Sequence, residues 1–219
     1  MTPRTIVFDL DGTLIDSLGL ILASYRHTME THRGRRLPDE LWVRGMGTPL
    51  AVQMRGFAED AAEAEAMVRT YEEHNLANHD RLVRPYPGVR DAVVSLRGLG
   101  LTLAIATSKR ARATRMGLRR CEFPEDWFAG IVTANDVGRP KPDPEPVRLA
   151  LERAGESDPG RAVYVGDSVH DMQAGRAAGV TTVAVLWGPN SRETLAAAGP
   201  DVWVEAPGEL AEALGLRAG

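Results

Sequence analysis

Thr5-Ile6-Val7-Phe8-Asp9-Leu10-Asp11-Gly12-Thr13 begins with a continuous β-branched and apolar run and then turns abruptly acidic. A strand with one wet face would alternate polar and apolar residues, so the unbroken run predicts a strand buried on both faces, as in a parallel sheet. Similar runs recur at 101–106, 162–165 and 182–186, with a weaker one at 131–133. Helical patterns lie between them. Pro87-Gly88-Val89 opens one, with Val89, Ala92, Val93 and Leu96 on a single stripe and Gly98 and Gly100 as its stop. Pro144 opens a second, which runs to Gly155. Ser168 is placed to cap a third that ends near Gly179. Alternating strands and helices predict an α/β fold, a Rossmann-like parallel sheet with helices on both faces.

The stretch 16–85 differs. It shows helical periodicity and acidic or Ala-rich segments but no convincing buried strand. The expected organisation is therefore an α/β core formed by 1–15 and 86–219, interrupted by an all-helical insertion at 16–85. Residues 59–65 (EDAAEAE) read as the start of a solvated helix, where carboxylates favour the N-terminal end of the helix dipole. Ile15-Asp16-Ser17 and Pro85-Tyr86-Pro87-Gly88 are the outgoing and returning linkers, expected to act as hinges between the two parts.

The 219 residues, 43% hydrophobic and 26% charged, are ordinary for a packed globular protein. A net charge of -4, with no dominating Lys/Arg cluster, argues against a nucleic-acid partner. The N-terminal apolar run is cut short by Asp9, and no segment is long and apolar enough to span a bilayer. The expectation is a cytoplasmic protein with no membrane partner. The single cysteine, Cys121, has no partner for an internal disulfide and reads as structural. Oligomeric state is not readable.

In an open α/β sheet the ligand site lies beyond the carboxyl ends of the strands. Those ends carry Asp9 and Asp11, then Thr107 and Ser108, then Gly166-Asp167-Ser168 with Asp171 one turn further on, while Lys141 sits in the proline-rich turn 138–144. Carboxylates gathered at one edge repel unless a cation sits among them, and an all-oxygen set without His or Cys suits magnesium. A lysine and a hydroxyl beside that metal make a pocket for a phosphoryl group, so the expected partner is a small phosphorylated metabolite.

These residues resemble, in order, the four motifs of the haloacid dehalogenase-like superfamily: Asp9-Leu-Asp11-Gly-Thr13-Leu14-Ile15-Asp16-Ser17, Thr107-Ser108, Lys141-Pro142 and Gly166-Asp167-Ser168-x-x-Asp171. The match spans the chain. It is similar to the subgroup with a helical cap after the first motif, which contains phosphoglycolate phosphatases, pyrophosphatases and β-phosphoglucomutases. The resemblance implies that Asp9 attacks phosphorus to form an aspartyl-phosphate. Asp11 would be acid for the leaving oxygen and then base for water, which needs it to hold a proton near neutral pH. Thr107, Ser108 and Lys141 would hold phosphoryl oxygens. Mg2+ would be held by Asp9, Asp11 through its carbonyl, and Asp167. Asp171 is either a metal partner or only a first-turn helix carboxylate.

The remaining motifs carry weaker expectations. Lys109 and Arg110 face water, where they would draw an anion; His170 also faces solvent and is not a ligand. Arg44, in the glycine-punctuated turn Arg44-Gly45-Met46-Gly47-Thr48-Pro49, is a candidate for contact with substrate. Segment 188–191 and the tail read as structural. Gly166, where the phosphoglucomutases typically carry Glu, favours hydrolysis. The implied activity is a phosphatase acting on a small, phosphoglycolate-like monoester. A pyrophosphatase or phosphomutase of the same fold is the alternative, and an inactive binding module the outside one.

Overall fold

A computed structural model describes residues 2–43 and 45–216. The first strand, β1 (Thr5–Phe8), ends at the acidic turn and leads into a two-residue strand β2 (Ile15–Asp16). Four helices follow: α1 (Leu18–Arg33), α2 (Asp39–Val43), α3 (Leu50–Arg55) and α4 (Ala61–Leu82). The chain then returns through β3 (Arg84–Pro85) to the alternation that the apolar runs predict: α5 (Val89–Gly98), β4 (Thr102–Ala106), α6 (Ala111–Arg120), β5 (Gly130–Val132), α7 (Glu145–Arg153), β6 (Ala162–Gly166), α8 (Val169–Ala178) and β7 (Thr181–Val185). It closes with α9 (Arg192–Ala196), β8 (Val202–Val204) and α10 (Leu210–Ala213).

The main sheet is parallel throughout, in the order β5-β4-β1-β6-β7-β8. The first strand is central, and the strand order reverses on either side of it, which is the doubly wound arrangement. Phe8 is level with Ile105 on one side and Val165 on the other, so Asp9 starts the site at the same height as the strands beside it. Each face has its own core: Ile6 and Phe8 pack with Val93 and Leu96 of α5, whereas Val7 packs with Val147 of α7 and Ala174 of α8. A strand with both faces covered has no use for polar alternation, and that accounts for the unbroken run.

Helices α6, α9 and α10 and strand β8 escape the sequence reading. β8 is a short edge strand, Val-Trp-Val, too brief for its periodicity to be distinctive. α6 is Arg-rich on its outer side, which masks the buried stripe of Thr114, Gly117 and Leu118. The expected N-cap at Ser168 is present, with a reciprocal capping box to Asp171 and a left-handed Gly179 at the other end. Asp60 likewise caps α4. Cys121 is buried, and burial pushes its thiol up to about 11, in keeping with a structural role.

The four helices between the linkers share a separate core of Tyr25, Met29, Trp42, Met54, Met67 and Tyr71. Trp42 stacks on Tyr25 at 4.9 Å and on Tyr71 at 5.5 Å. Its indole Nε1 has no hydrogen-bond partner among the described residues. The two linkers pair with each other: Ile15 faces Pro85 and Asp16 faces Arg84 in an antiparallel ribbon. No described helix is long and apolar enough to cross a membrane.

α4 also reaches the core. His79 near its end is fully buried, donates from Nδ1 to the Asp80 carboxylate at 2.9 Å, and leaves Nε2 without a partner among the described residues. Burial holds its imidazole below the usual histidine range, with Lys109 adding to the effect and Asp80 opposing it. Folding therefore favours the neutral ring, so its contribution is fully present above the unfolded value of about 6.5 and is lost as pH falls below it. Thermal melts of wild type and His79→Leu should accordingly differ in their pH response. Wild type should lose several degrees more between about pH 7 and pH 5 than the variant, and parallel curves would refute the assignment.

Candidate active site

Backbone hydrogen bonds set the site floor. The Asp9 amide donates to the Val165 carbonyl at 2.8 Å, and the Thr107 amide to that of Val132 at 2.9 Å. The carboxyl ends of β1, β4 and β6 thereby bring Asp9, Thr107 and Asp167 to one edge, all buried. Lys141 arrives from the proline-rich turn and is 2% exposed, a depth at which an unpaired ammonium would be untenable. Its Nζ lies 2.7 Å from Asp9 Oδ1 and 2.7 Å from Asp171 Oδ1.

Asp171 is fully buried and heavily bonded. Its Oδ1 takes the Lys141 ammonium, with the Tyr164 hydroxyl at 3.0 Å; that hydroxyl shares its one proton with the Ala106 carbonyl at 2.8 Å. Its Oδ2 accepts from the Ser168 amide at 3.0 Å and the Ser168 hydroxyl at 2.6 Å. Although burial works against the charge, Lys141 and these donors hold the Asp171 carboxyl below its ordinary range. Asp9 goes the other way: burial raises it to about 7, with Asp171 adding to the effect and Lys141 opposing it. Asp167 is pushed well above the carboxylate range by burial and then by Asp171 and Asp9.

Asp9, Asp167 and Asp171 each offer an oxygen within 4.8 Å of the others. Three clustered carboxylates face one lysine, so the donor set and its charge imbalance fit a hard divalent cation. Asp9 and Asp167 each keep one oxygen with no protein partner among the described residues. Glycines make the cradle for Asp167. A Cβ at Gly12 would fall 2.5 Å from Asp167 Oδ2, and one at Gly188 would fall 2.6 Å from its Cβ. Asn190 donates to the Asp167 carbonyl at 3.0 Å, and Thr13 to Oδ1 at 3.2 Å.

Asp11 is held differently. Its Oδ1 accepts from Ser17 Oγ and from Lys109 Nζ, both at 2.6 Å. The Lys109 side chain is 8% exposed, so it does not face water as expected; the carboxylate draws it inward. Arg110 is more open and pairs with Glu72 of α4 at 3.0 Å. His170, expected in solvent, is half-buried, because the turn at Gly47 packs on it and on Ser168. Ser108 donates its hydroxyl to the Gly47 carbonyl at 2.8 Å, so in this arrangement it ties the helical layer to the floor. Arg44 lies outside the described residues.

Above these groups is a cavity of about 590 Å³ lined by Asp9, Asp11, Thr107, Lys109, Lys141 and Asp167 below and by residues of α2, α3 and α4 above. Lys109, Ser17, Tyr164 and Asn190 were not anticipated as parts of the site. For Lys109 the available signal was a cation directly after the Thr107-Ser108 pair; Ser17 and Tyr164 lie six and seven residues from Asp11 and Asp171, and only the turn geometry brings them together, while Asn190 lies 23 residues from Asp167.

Comparison with known proteins agrees with this geometry. The model of the family described as haloacid dehalogenase-like hydrolase matches residues 6–185. Pyrophosphatase PpaX of Bacillus velezensis is 39% identical over 212 residues, covering 97% of this chain and 96% of that protein. Pyrophosphatase PpaX of Oceanobacillus iheyensis is 36% identical over 205 residues, covering 94% of each. Among solved structures, a haloacid dehalogenase-like family hydrolase from Streptococcus pneumoniae superposes with a TM-score of 0.82 at 26% identity, covering 96% of this chain and 97% of that one. The chain belongs to the haloacid dehalogenase-like hydrolases, and it is a hydrolase of the phosphatase type.

Proposed function

We propose that the chain is a magnesium-dependent phosphatase that hydrolyses a phosphate monoester through an aspartyl-phosphate on Asp9. The observation that carries the reading is the buried Lys141 bridge between Asp9 and Asp171, set beside Asp167 at the floor of the cavity. Asp9 keeps one oxygen free while the other is fixed by Lys141, the disposition a carboxylate nucleophile needs. That oxygen bonds to phosphorus as the phosphorus–oxygen bond to the alcohol breaks, and the leaving oxygen takes a proton from Asp11. Asp11 then accepts a proton from the water that attacks the aspartyl-phosphate, releasing inorganic phosphate and restoring both carboxyl groups. Thr107 and Lys141 hold phosphoryl oxygens through this exchange.

Magnesium would be held by Asp9, the Asp11 carbonyl and Asp167, and when bound it neutralises charge on the phosphoryl oxygens. Asp171 has donors on both oxygens already and acts on the reaction through Lys141. Lys109 and Ser17 fix Oδ1 of Asp11, which leaves Oδ2 to carry the proton in its two transfers. Hydrolysis of pyrophosphate is a second reading, favoured by the likeness to the two pyrophosphatases above. Phosphoglycolate is the small monoester to set against it.

Phosphate release should require both added magnesium and Asp9. Chelation should abolish it, and Asp9→Asn should lower it by at least about 10³-fold on every ester. Activity of Asp9→Asn near that of wild type would sink the aspartyl-phosphate. Ranking phosphoglycolate, pyrophosphate and para-nitrophenyl phosphate by kcat/KM decides between the two readings. Lys109→Met should lower kcat about 10- to 100-fold while KM changes much less, because it disturbs a proton donor and not the grip on substrate. An effect confined to KM would place Lys109 in substrate binding instead.

A further inference from the structure

We infer that the upper half of the cavity is a subsite for an apolar leaving group, so that the substrate is the phosphate monoester of a bulky, largely hydrocarbon alcohol. The inference rests on the phosphatase reading and extends it to the substrate's other end. Its first support is size. About 590 Å³ lies in the range of pockets that enclose a whole small organic molecule, far beyond what a phosphoryl group on the floor occupies.

The second support is the division of chemistry between floor and roof. Ile21, Leu50, Val68 and Leu76 line the roof and are only half-buried. Ile21, Leu50 and Val68 pack against the helical layer's own core and also line the cavity, where Thr48, Gln53 and Asn75 are the uncharged polar residues beside them. Val68, Glu72 and Leu76 are spaced four apart and so share one face of α4. Apolar surface left wet inside a concave site gains from hydrocarbon that displaces the water.

The third support is charge. A leaving group that carried a second phosphoryl or a carboxylate would need a cation above the floor. Lys141 is engaged by Asp9 and Asp171, Lys109 by Asp11, and Arg110 by Glu72. Among the described lining residues that leaves Arg112, which is exposed. An anionic leaving group would meet Arg112 at the exposed margin, or else would have to break an existing pair or sit beside Asp11 and Glu72, whereas a neutral apolar one disturbs none of these pairs.

Binding can be measured without turnover. Isothermal titration of the magnesium-loaded wild type with methyl-, butyl- and hexylphosphonate should show the Kd tightening about two- to fourfold for each added methylene. Val68→Ser and Leu76→Ser, made singly at half-buried positions, should each weaken hexylphosphonate more than methylphosphonate. A ladder that is flat or weakens with length overturns the subsite, as does tighter binding of methylenebisphosphonate or phosphonoacetate than of hexylphosphonate. The wild-type ladder alone decides this if a variant fails to fold. Release of phosphate from hexyl phosphate reports on the other reading: a graded ladder without release would sink the phosphatase mechanism and leave the subsite standing.

Discussion

An ammonium buried to 2% exposure between two carboxylates is the constraint around which the rest of this molecule is arranged. Taking Lys141 out of water carries a desolvation cost of several kcal/mol on the scale of buried ions, recovered only if good partners meet it on arrival. Asp9 and Asp171 do so at 2.7 Å each, and between them they hold its proton firmly, so its affinity for that proton stands above the ordinary lysine value despite burial. The pair relation is unequal. Asp171 has Ser168 and Tyr164 to share its charge, and it ends below its usual range. Asp9 has fewer donors and stands raised, which leaves it an oxygen without a partner and a carboxylate still seeking positive charge.

Meeting that requirement takes residues from widely separated parts of the chain. Asp9, Lys141 and Asp171 span 162 positions along the sequence, yet a parallel sheet with β1 at its centre sends every strand's carboxyl end to the same edge. Backbone clearance does the rest. Gly166 lets Asp171 lie against the end of β6, where a Cβ would stand 2.5 Å from that of Asp171. Gly12, whose φ is +87°, and Gly188 leave room for Asp167 in the same way. The glycines of the acidic turn and of the last motif are therefore packing devices for carboxylates and not merely turn residues.

Much of this was legible in the sequence because buried parallel strands and the groups at their ends announce themselves locally. The run at Thr5–Phe8 is apolar since both faces are covered, and Asp9 follows it directly. What was not legible depends on distance. Lys109 reads as a solvent-facing cation until Asp11, 98 positions away, is seen at 2.6 Å. Tyr164 reads as one more apolar strand residue until its hydroxyl is found beside Asp171. Asn190, in a stretch that looks structural, supports the Asp167 carbonyl. Single-residue ion pairs and hydrogen bonds across the sheet leave no periodic trace, whereas strands and amphipathic helices do.

The joint between the helical layer and the floor couples the two halves of the cavity. Gly47, at φ +96°, sits where a Cβ would be 2.8 Å from Ser168 Oγ and 3.1 Å from His170 Nδ1. Its carbonyl also accepts the Ser108 hydroxyl. One turn therefore touches the groups following both β4 and β6, while the β2–β3 ribbon tethers the layer at its base. Ser168 is the same residue whose amide and hydroxyl hold Asp171, and Asp171 holds Lys141. A continuous chain of contacts therefore runs from the turn at Gly47 through Ser168 and Asp171 to the lysine that fixes Asp9. The helical layer and the charged floor are in this way joined by side-chain contacts at the site itself and not only by the ribbon at its base.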